Sequence, residues 1–273
     1  MQTPVEASVN MVTRNATSSA AIDQFFDTLA AARDSALLLD FDGTIAPFRI
    51  DPANVRPWAG VAKLLNEIQL SGRTRIAIVS GRPARDVAAR LGTASTPEIW
   101  GLHGAERLDP NGELEQQSLT IEEQTALDTA RSAIKAELSG VRLEQKWNAV
   151  AAHWRGAPVR SRDTLRCRAA ELLQPFAIAA GLRLLHFDGG IELRAGRDKG
   201  DAVHLILNQI SSRSPVAYLG DDTTDEDAFL ALGTRGLSAL VRRQWRPSAA
   251  QIWLRPPAEL RSFLTTWLQN VRH

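Results

Sequence analysis

The stretch LLLDFDGT, residues Leu37–Thr44, decides the fold, because an apolar run gives way abruptly to two carboxylates, a glycine and a hydroxyl. Ala36–Leu39 is predicted to be a fully buried strand, since four consecutive apolar residues before a glycine turn are typical of a parallel sheet covered on both faces. Such sheets bind ligands beyond the carboxyl ends of their strands. Asp40 and Asp42 are therefore expected to project into a polar crevice, and their spacing can place both on one side.

These two carboxylates indicate a cation. They repel each other, and both stay ionised only if a cation lies between them or one takes up a proton. Mg²⁺ prefers hard oxygen ligands and often uses one or two carboxylates together with phosphate oxygens. Gly43 and Thr44 favour an anion nearby, because glycine lets backbone N–H groups approach it and threonine adds a hydroxyl donor. Alone, the motif is equally compatible with a solvated aspartate pair at a turn.

Composition excludes several classes of protein. The chain has 273 residues, of which 44% are hydrophobic and 23% charged, and this suits a globular protein of one large or two medium domains. A net charge of +1 without a cluster of Lys or Arg gives no footprint for nucleic acid or an anionic membrane. The single cysteine, Cys167, excludes an internal disulfide framework and is expected to be a small buried helix residue.

The first residues and the hydropathy pattern indicate where in the cell the protein is expected. Residues 1–20 are polar and turn-rich, without the apolar core of a secretory signal, and are predicted to be a disordered tail. No stretch approaches 18 consecutive apolar residues, so no membrane span is expected. A cytoplasmic enzyme is the default expectation.

Two later strands end in a similar way. Ile76–Val79 is predicted to be a second buried strand, and it ends at the triplet SGR, residues 80–82. The hydroxyl of Ser80 and the N–H groups after it can hold a phosphate, although an ordinary helix cap has the same pattern. Val216–Leu219 ends at GDDTTDED, residues 220–227, which carries five carboxylates in eight residues. The repeated pattern of an apolar strand followed by acids favours a functional site over a solvated turn.

Two other polar residues adjoin predicted core elements. Lys199 begins a helix with an apolar side, directly after the last strand of the block described next. His103 lies between two glycines after a short strand at Ile99-Trp100, and it is either a site residue or a turn histidine.

Residues 107–195 have a different pattern and are predicted to be an inserted α+β cap domain. The block contains a hairpin signal at residues 109–112 and a helix from the capping box at 120–123 to 139–140. Extended stretches follow at 141–146 and 149–155, then a helix from about 161 interrupted near Pro175, then strands at 182–186 and 191–194. The flanking residues, 21–106 and 196–273, are predicted to form a doubly wound, Rossmann-like parallel-sheet α/β core.

Together these residues suit phosphoryl transfer. Asp40 is the candidate nucleophile, because a carboxylate can attack phosphorus and split hydrolysis into two displacement steps. Asp42 can protonate the leaving alkoxide and later deprotonate the water, and Lys199 would stabilise the phosphoryl oxygens. The predicted phosphate contacts are Gly43, Thr44, Ser80, Gly81 and Arg82. The predicted Mg²⁺ ligands are Asp40, Asp42, Asp221 and Asp222, with Asp222 and Asp225 also placed to orient waters or Lys199.

The motifs DFDGT, SGR, the isolated Lys199 and GDDTTDED resemble the four motifs of haloacid dehalogenase superfamily phosphatases. More narrowly, residues 34–270 resemble trehalose-6-phosphate phosphatases, on the segments GLHGAE (101–106), LEQKWNAVAAHWR (143–155), IELRAGRDKG (191–200) and YLGDDTTDEDAF (218–229). The resemblance implies Mg²⁺-dependent hydrolysis of trehalose 6-phosphate through an aspartyl-phosphate, as a step of trehalose biosynthesis. It also implies that the cap domain selects the sugar, with trehalose contacts from Glu144, Lys146 and Glu192 and with His153 and Arg155 nearby.

Three alternatives stay open. A phosphatase for another phosphorylated disaccharide or glycoside, such as sucrose 6-phosphate or mannosyl-3-phosphoglycerate, would keep every core residue and change only the cap. A phosphosugar mutase would need an aspartyl-phosphate protected from water, which nothing in the sequence marks. A non-enzymatic regulatory partner of a synthase is disfavoured, because the chain has the complete set of candidate catalytic residues: Asp40, Asp42, Ser80, Lys199 and Asp221. A trehalose-6-phosphate synthase is also a candidate partner of an active enzyme.

Overall fold

The computed structural model describes residues 22–49, 54–187 and 189–272. The predicted tail, residues 1–20, lies outside them. The chain divides into two compact units, a larger one of residues 1–116 and 197–273 and a smaller one of residues 117–196. Within the described ranges, no helix combines the length and the apolar character that crossing a membrane requires.

The described residues form twelve strands and eight α-helices. The strands are β1 (Ser35–Leu39), β2 (Thr74–Val79), β3 (Glu98–Gly101), β4 (Glu106–Leu108), β5 (Leu114–Gln116), β6 (Arg142–Lys146), β7 (Ala149–His153), β8 (Arg183–Phe187), β9 (Gly190–Arg194), β10 (Val216–Gly220), β11 (Leu237–Val241) and β12 (Ile252–Leu254). The helices are α1 (residues 22–31), α2 (Val61–Leu70), α3 (Ala84–Leu91), α4 (Ile121–Glu137), α5 (Val159–Ala180), α6 (Lys199–Leu207), α7 (Glu226–Leu232) and α8 (Ala258–Val271).

The larger unit is built on an eight-stranded sheet in the order β12-β11-β10-β1-β2-β3-β4-β5. All neighbours from β12 to β3 are parallel. The chain runs outward from β1 through β2 to β3 in one direction, and from β10 through β11 to β12 in the other. This reversal makes the carboxyl ends of β1 and β10 a topological switch point, where such sheets bind their ligands. The predicted doubly wound α/β core is confirmed.

Alternation along β1 explains why Ala36–Leu39 are all apolar. Leu37 and Leu39 belong to a buried cluster that includes residues of α1, α2 and α8, whereas Ala36 and Leu38 belong to a second cluster that includes residues of α6 and α7. Successive side chains of a strand point to opposite faces. From Ala36 onward, this central strand is packed on both faces and carries no polar side chain until it ends at Asp40.

Residues 107–116 belong to the larger unit, although the sequence pattern assigned them to the inserted block. β4 pairs antiparallel with β3, and β5 pairs antiparallel with β4, so this hairpin extends the eight-stranded sheet. The predicted turn is present, since Asp109 Oδ1 accepts hydrogen bonds from the N–H groups of Asn111 and Glu113. The pairing of β4 with β3 depends on contacts across the sheet, which the local pattern does not encode.

The smaller unit has a four-stranded antiparallel sheet in the order β6-β7-β9-β8, with α4 and α5 packed on one face. α4 begins at the predicted capping box, in which Thr120 and Glu123 exchange side-chain and backbone hydrogen bonds. The predicted interruption of α5 near Pro175 is wrong. The helix continues through the proline because Leu173 and Ala177, on either side of it, are buried against the sheet.

Cys167 lies in α5, as predicted, but it is exposed instead of buried. The buried residues of this helix are Ala169, Leu173 and Ala177. Residues four apart lie on one face of a helix, whereas a position two residues before Ala169 points away from that face. The expectation of burial for Cys167 was therefore wrong, because this position lies about half a helical turn from the buried face.

Candidate active site

The candidate site begins with a buried lysine between two aspartates of the larger unit. Asp40 directly follows β1, Lys199 is the first residue of α6, and Asp225 follows β10 by five residues. Lys199 Nζ lies 2.7 Å from Asp40 Oδ1 and 2.8 Å from Asp225 Oδ1, and the three side chains are only 3%, 5% and 0% exposed. Burial lowers the pKa of Lys199, but attraction from Asp225 and Asp40 outweighs it, so the pKa is raised overall. The lysine is a fixed cation at the switch point.

Asp225 is saturated with hydrogen bonds. Its Oδ1 accepts from Lys199 and from the hydroxyl of Tyr218 at 2.7 Å, and its Oδ2 accepts from the N–H groups of Asp221 and Asp222 at 3.0 and 2.9 Å. A carboxylate occupied in this way orients its neighbours instead of binding a ligand. This agrees with the orienting role expected for Asp225. Tyr218 was not predicted as a site residue, because in the sequence it is one residue of a buried apolar strand.

Asp221, unlike Asp225, is not fully hydrogen-bonded. It is 3% exposed, and its Oδ1 has no hydrogen-bond partner among the described residues. Burial, with repulsion from Asp40 and Asp225, raises the pKa of Asp221, and burial also raises the pKa of Asp40 against the attraction of Lys199. Carboxylate oxygens of Asp40, Asp221 and Asp225 come within 4.8 Å of one another. Two buried carboxylates, one with an orphaned oxygen, fit a divalent cation with hard oxygen ligands.

Gly43 has a different role from the one expected. Its N–H donates to the carbonyl of Ala46, so that donor is already used. Instead, its φ of +85° and the missing side chain let the backbone approach Asp221, because a Cβ at this position would lie 2.2 Å from Asp221 Oδ2. Thr44 likewise donates its hydroxyl to Asp40 Oδ2 at 3.1 Å. Both residues shape the carboxylate site.

Two of the predicted metal ligands do not join this cluster. The Asp42 carboxylate accepts hydrogen bonds from Arg82 Nε at 2.5 Å and from Arg82 Nη2 at 2.8 Å. Asp222 is exposed and directly precedes the short helical turn Thr223–Asp225. The carboxyl group of Asp42 is thus held by Arg82 and that of Asp222 is exposed, and their assignment as side-chain ligands stays a prediction.

The SGR loop follows β2 at the same edge of the sheet. Ser80 is 1% exposed, and its carbonyl accepts a hydrogen bond from the N–H of His103. Leu102 and His103 have positive φ values of 48° and 61°, and a Cβ on Gly81 would lie 2.6 Å from His103 Nε2. Adjacent left-handed residues other than glycine are rare and cluster at functional sites. His103 therefore lies directly against the predicted phosphate loop.

The smaller unit gathers most of its predicted sugar contacts on the sheet face opposite the helices. Lys146 Nζ lies 3.0 Å from Glu192 Oε2, and His153 Nε2 lies 2.9 Å from Glu144 Oε2. The neighbouring His153, opposed by burial and reinforced by Lys146, lowers the pKa of Glu144 to about 2. Arg155 follows β7 and packs against Gly189.

Two solved structures are similar to this chain in fold. A phosphatase of the haloalkanoate dehalogenase (HAD) superfamily from Bacteroides thetaiotaomicron superposes with a TM-score of 0.64 at 16% identity, covering 86% of this chain and 95% of that one. The C-terminal domain of the Candida albicans trehalose-6-phosphate phosphatase gives a TM-score of 0.75 at 21% identity, covering 92% and 96%. The described residues thus have a fold similar to that of these two solved structures.

The sequence defines the family more narrowly. The model of the trehalose-phosphatase family matches residues 38–251, and the chain belongs to this family. The trehalose-phosphate phosphatase of Mycobacterium marinum is 34% identical over 242 residues, which cover 84% of this chain and 60% of that relative. The chain therefore spans less than two thirds of the length of this curated relative.

Proposed function

We propose that this chain is a Mg²⁺-dependent phosphatase that hydrolyses trehalose 6-phosphate to trehalose and phosphate. The observation that carries the proposal is the buried ion pair of Lys199 with Asp40, next to the orphaned oxygen of Asp221, at the switch point of the sheet. Membership of the trehalose-phosphatase family supports the choice of substrate. Neither the buried ion pair nor the orphaned oxygen is expected in a purely structural core, because buried carboxylates without full compensation destabilise a fold.

In the proposed reaction, a carboxylate oxygen of Asp40 attacks phosphorus, and the bond from phosphorus to the sugar oxygen breaks. The sugar oxygen takes a proton from Asp42 and leaves as trehalose. Water, deprotonated by Asp42, then attacks the aspartyl-phosphate and releases phosphate, which restores Asp40. The two hydrogen bonds from Arg82 fix the orientation of the Asp42 carboxyl group.

The charged residues around Asp40 stabilise the transferring phosphoryl group. Lys199 donates to Asp40 and is placed to neutralise negative charge beside it, and Ser80 and Gly81 follow the neighbouring strand. Asp40 and Asp221 would hold the Mg²⁺, which when bound would neutralise the carboxylates and the phosphate charge. Asp225 acts on the reaction by holding Lys199 and the backbone of Asp221, and Tyr218 acts by donating to Asp225.

We propose that the sheet face of the smaller unit selects the sugar. Glu144, Lys146 and Glu192 would make charge-assisted hydrogen bonds to glucosyl hydroxyls, with His153 fixing Glu144 and Arg155 at the end of the strand. The same contacts are also what a cross-strand charge pair would make, so substrate kinetics must separate the two. A trehalose-6-phosphate synthase, the enzyme that would supply the substrate, is the proposed protein partner.

Phosphate release from trehalose 6-phosphate tests the proposal. We expect turnover in Mg²⁺, loss of turnover in EDTA, and recovery when Mg²⁺ is added back. Asp40→Asn is the control for contaminating phosphatases and should be inactive under all three conditions. Turnover that is unchanged in EDTA would contradict the metal assignment, and no turnover in Mg²⁺ would contradict the function.

A further inference from the structure

We propose that Phe187 is an apolar platform on which one pyranose ring of the substrate stacks, an inference that rests on the proposed function. Phe187 is the last residue of β8 and exposes 38% of its surface. Its ring centroid lies 5.2 Å from that of His153, with an angle of 57° between the ring planes. An aromatic ring among a few convergent polar side chains matches the lining of small-molecule sites.

Gly190 sets the position of this ring. The register of the sheet places Gly190 directly opposite Phe187, and a Cβ on Gly190 would lie 2.2 Å from Phe187 Cζ. The ring therefore lies over the backbone of β9 and reaches β7, where it contacts His153. Any larger residue at position 190 would displace the ring from this position.

The surrounding chemistry fits a sugar. By strand alternation, Phe187 shares its sheet face with His153, Glu144, Lys146 and Glu192. A pyranose has a rim of hydroxyls, which need hydrogen-bond partners, and faces made of C–H groups, which are apolar. The carboxylates and the ammonium group suit the rim, and the phenyl ring suits a face.

Phe187 is an exposed apolar residue of this face, whereas Ala149 and Ala151 of β7, which share the face, are buried. A ring that only covered Gly190 would stabilise the sheet, as aromatic residues paired with strand glycines do, and would leave substrate choice unchanged. The two roles of Phe187 therefore predict different kinetics.

The test compares Phe187→Ala and Phe187→Tyr with the wild type on trehalose 6-phosphate and on p-nitrophenyl phosphate. An aromatic contact is worth about 0.5 to 1.5 kcal/mol, so Phe187→Ala should lower kcat/KM for the sugar substrate by about 2- to 12-fold, mainly through KM. Activity on the aryl phosphate should stay within about twofold, and Phe187→Tyr should retain both activities. Ile178→Ala, which truncates another exposed apolar residue of the same unit, is the matched control and should change neither.

Calorimetric titration of the full chain with trehalose measures the platform without catalysis. Weaker trehalose binding by Phe187→Ala than by Ile178→Ala would support the proposal. Equal losses on both substrates, or no loss on either with unchanged trehalose affinity, would overturn it. If the wild type hydrolyses p-nitrophenyl phosphate but neither hydrolyses trehalose 6-phosphate nor binds trehalose, the proposed function fails and the platform with it.

Discussion

Replacing Lys199 by methionine should destabilise the larger unit strongly. The substitution keeps a long side chain but removes the ammonium group that lies 2.7 and 2.8 Å from Asp40 and Asp225. Removing one partner of a buried ion pair costs about 3 to 5 kcal/mol, because the remaining charge is left uncompensated. Asp225 keeps three other donors, and burial already raises the pKa of Asp40, so protonation of Asp40 can relieve part of the cost.

We therefore expect a loss of about 3 kcal/mol, the lower end of that range. For a chain of this size each kcal/mol lowers Tm by about 2 to 4 °C, so the transition should shift by about 6 to 12 °C. Thermal unfolding followed by circular dichroism measures it. Lys63→Met is the matched control, because Lys63 is 82% exposed and surface changes stay within about 0.5 kcal/mol.

The double variant Lys199→Met with Asp40→Asn should regain part of the lost stability, because it also removes a buried charge that the lysine compensated. Equal Tm values for Lys199→Met and Lys63→Met would refute the description of Lys199 as a compensating cation.

Three further predictions concern single residues. Asp40→Asn should reduce turnover to background, whereas Asp42→Asn should lose about 10²- to 10⁴-fold, and peptide mapping should find the phosphoryl group on Asp40; an adduct on Asp42 would reverse the roles. Gly43→Ala should cost about 1 to 3 kcal/mol in urea unfolding, because of its φ of +85° and the clash with Asp221, and wild-type stability would disprove this close approach. Glu144→Gln should lower stability by about 0.2 to 1 kcal/mol at pH 7. Folding depresses the pKa of Glu144 to about 2, so its contribution to stability is present above the unfolded pKa near 4.5 and disappears as the pH falls toward 2. A stability difference between Glu144→Gln and the wild type that does not change with pH would contradict the pairing.

Sequence reasoning found the residues whose placement depends on the chain's local pattern. Asp40, Ser80 and Asp221 each follow a buried parallel strand, and parallel strands of one sheet bring such ends to one edge. Lys199 was found because it begins a helix beside that edge. The family resemblance, now confirmed by the trehalose-phosphatase match, rests on the same segments.

The features that were missed depend on contacts that form only in the folded chain. Asp42 pairs with Arg82, 40 residues later, and this pairing is set by the packing of β2 against β1. Tyr218 looks like a core residue until its hydroxyl is seen to meet Asp225. Pro175 was expected to interrupt a helix, but tertiary packing overrides local propensity there.

The most direct test is kcat/KM for the full chain in Mg²⁺ on trehalose 6-phosphate, sucrose 6-phosphate, mannosyl-3-phosphoglycerate and glucose 6-phosphate. A site that hydrogen-bonds particular sugar hydroxyls discriminates strongly against substrates that lack them. We predict that trehalose 6-phosphate is preferred over each of the others by at least about 100-fold. An equal or higher kcat/KM on any other member of the panel would contradict the proposed function.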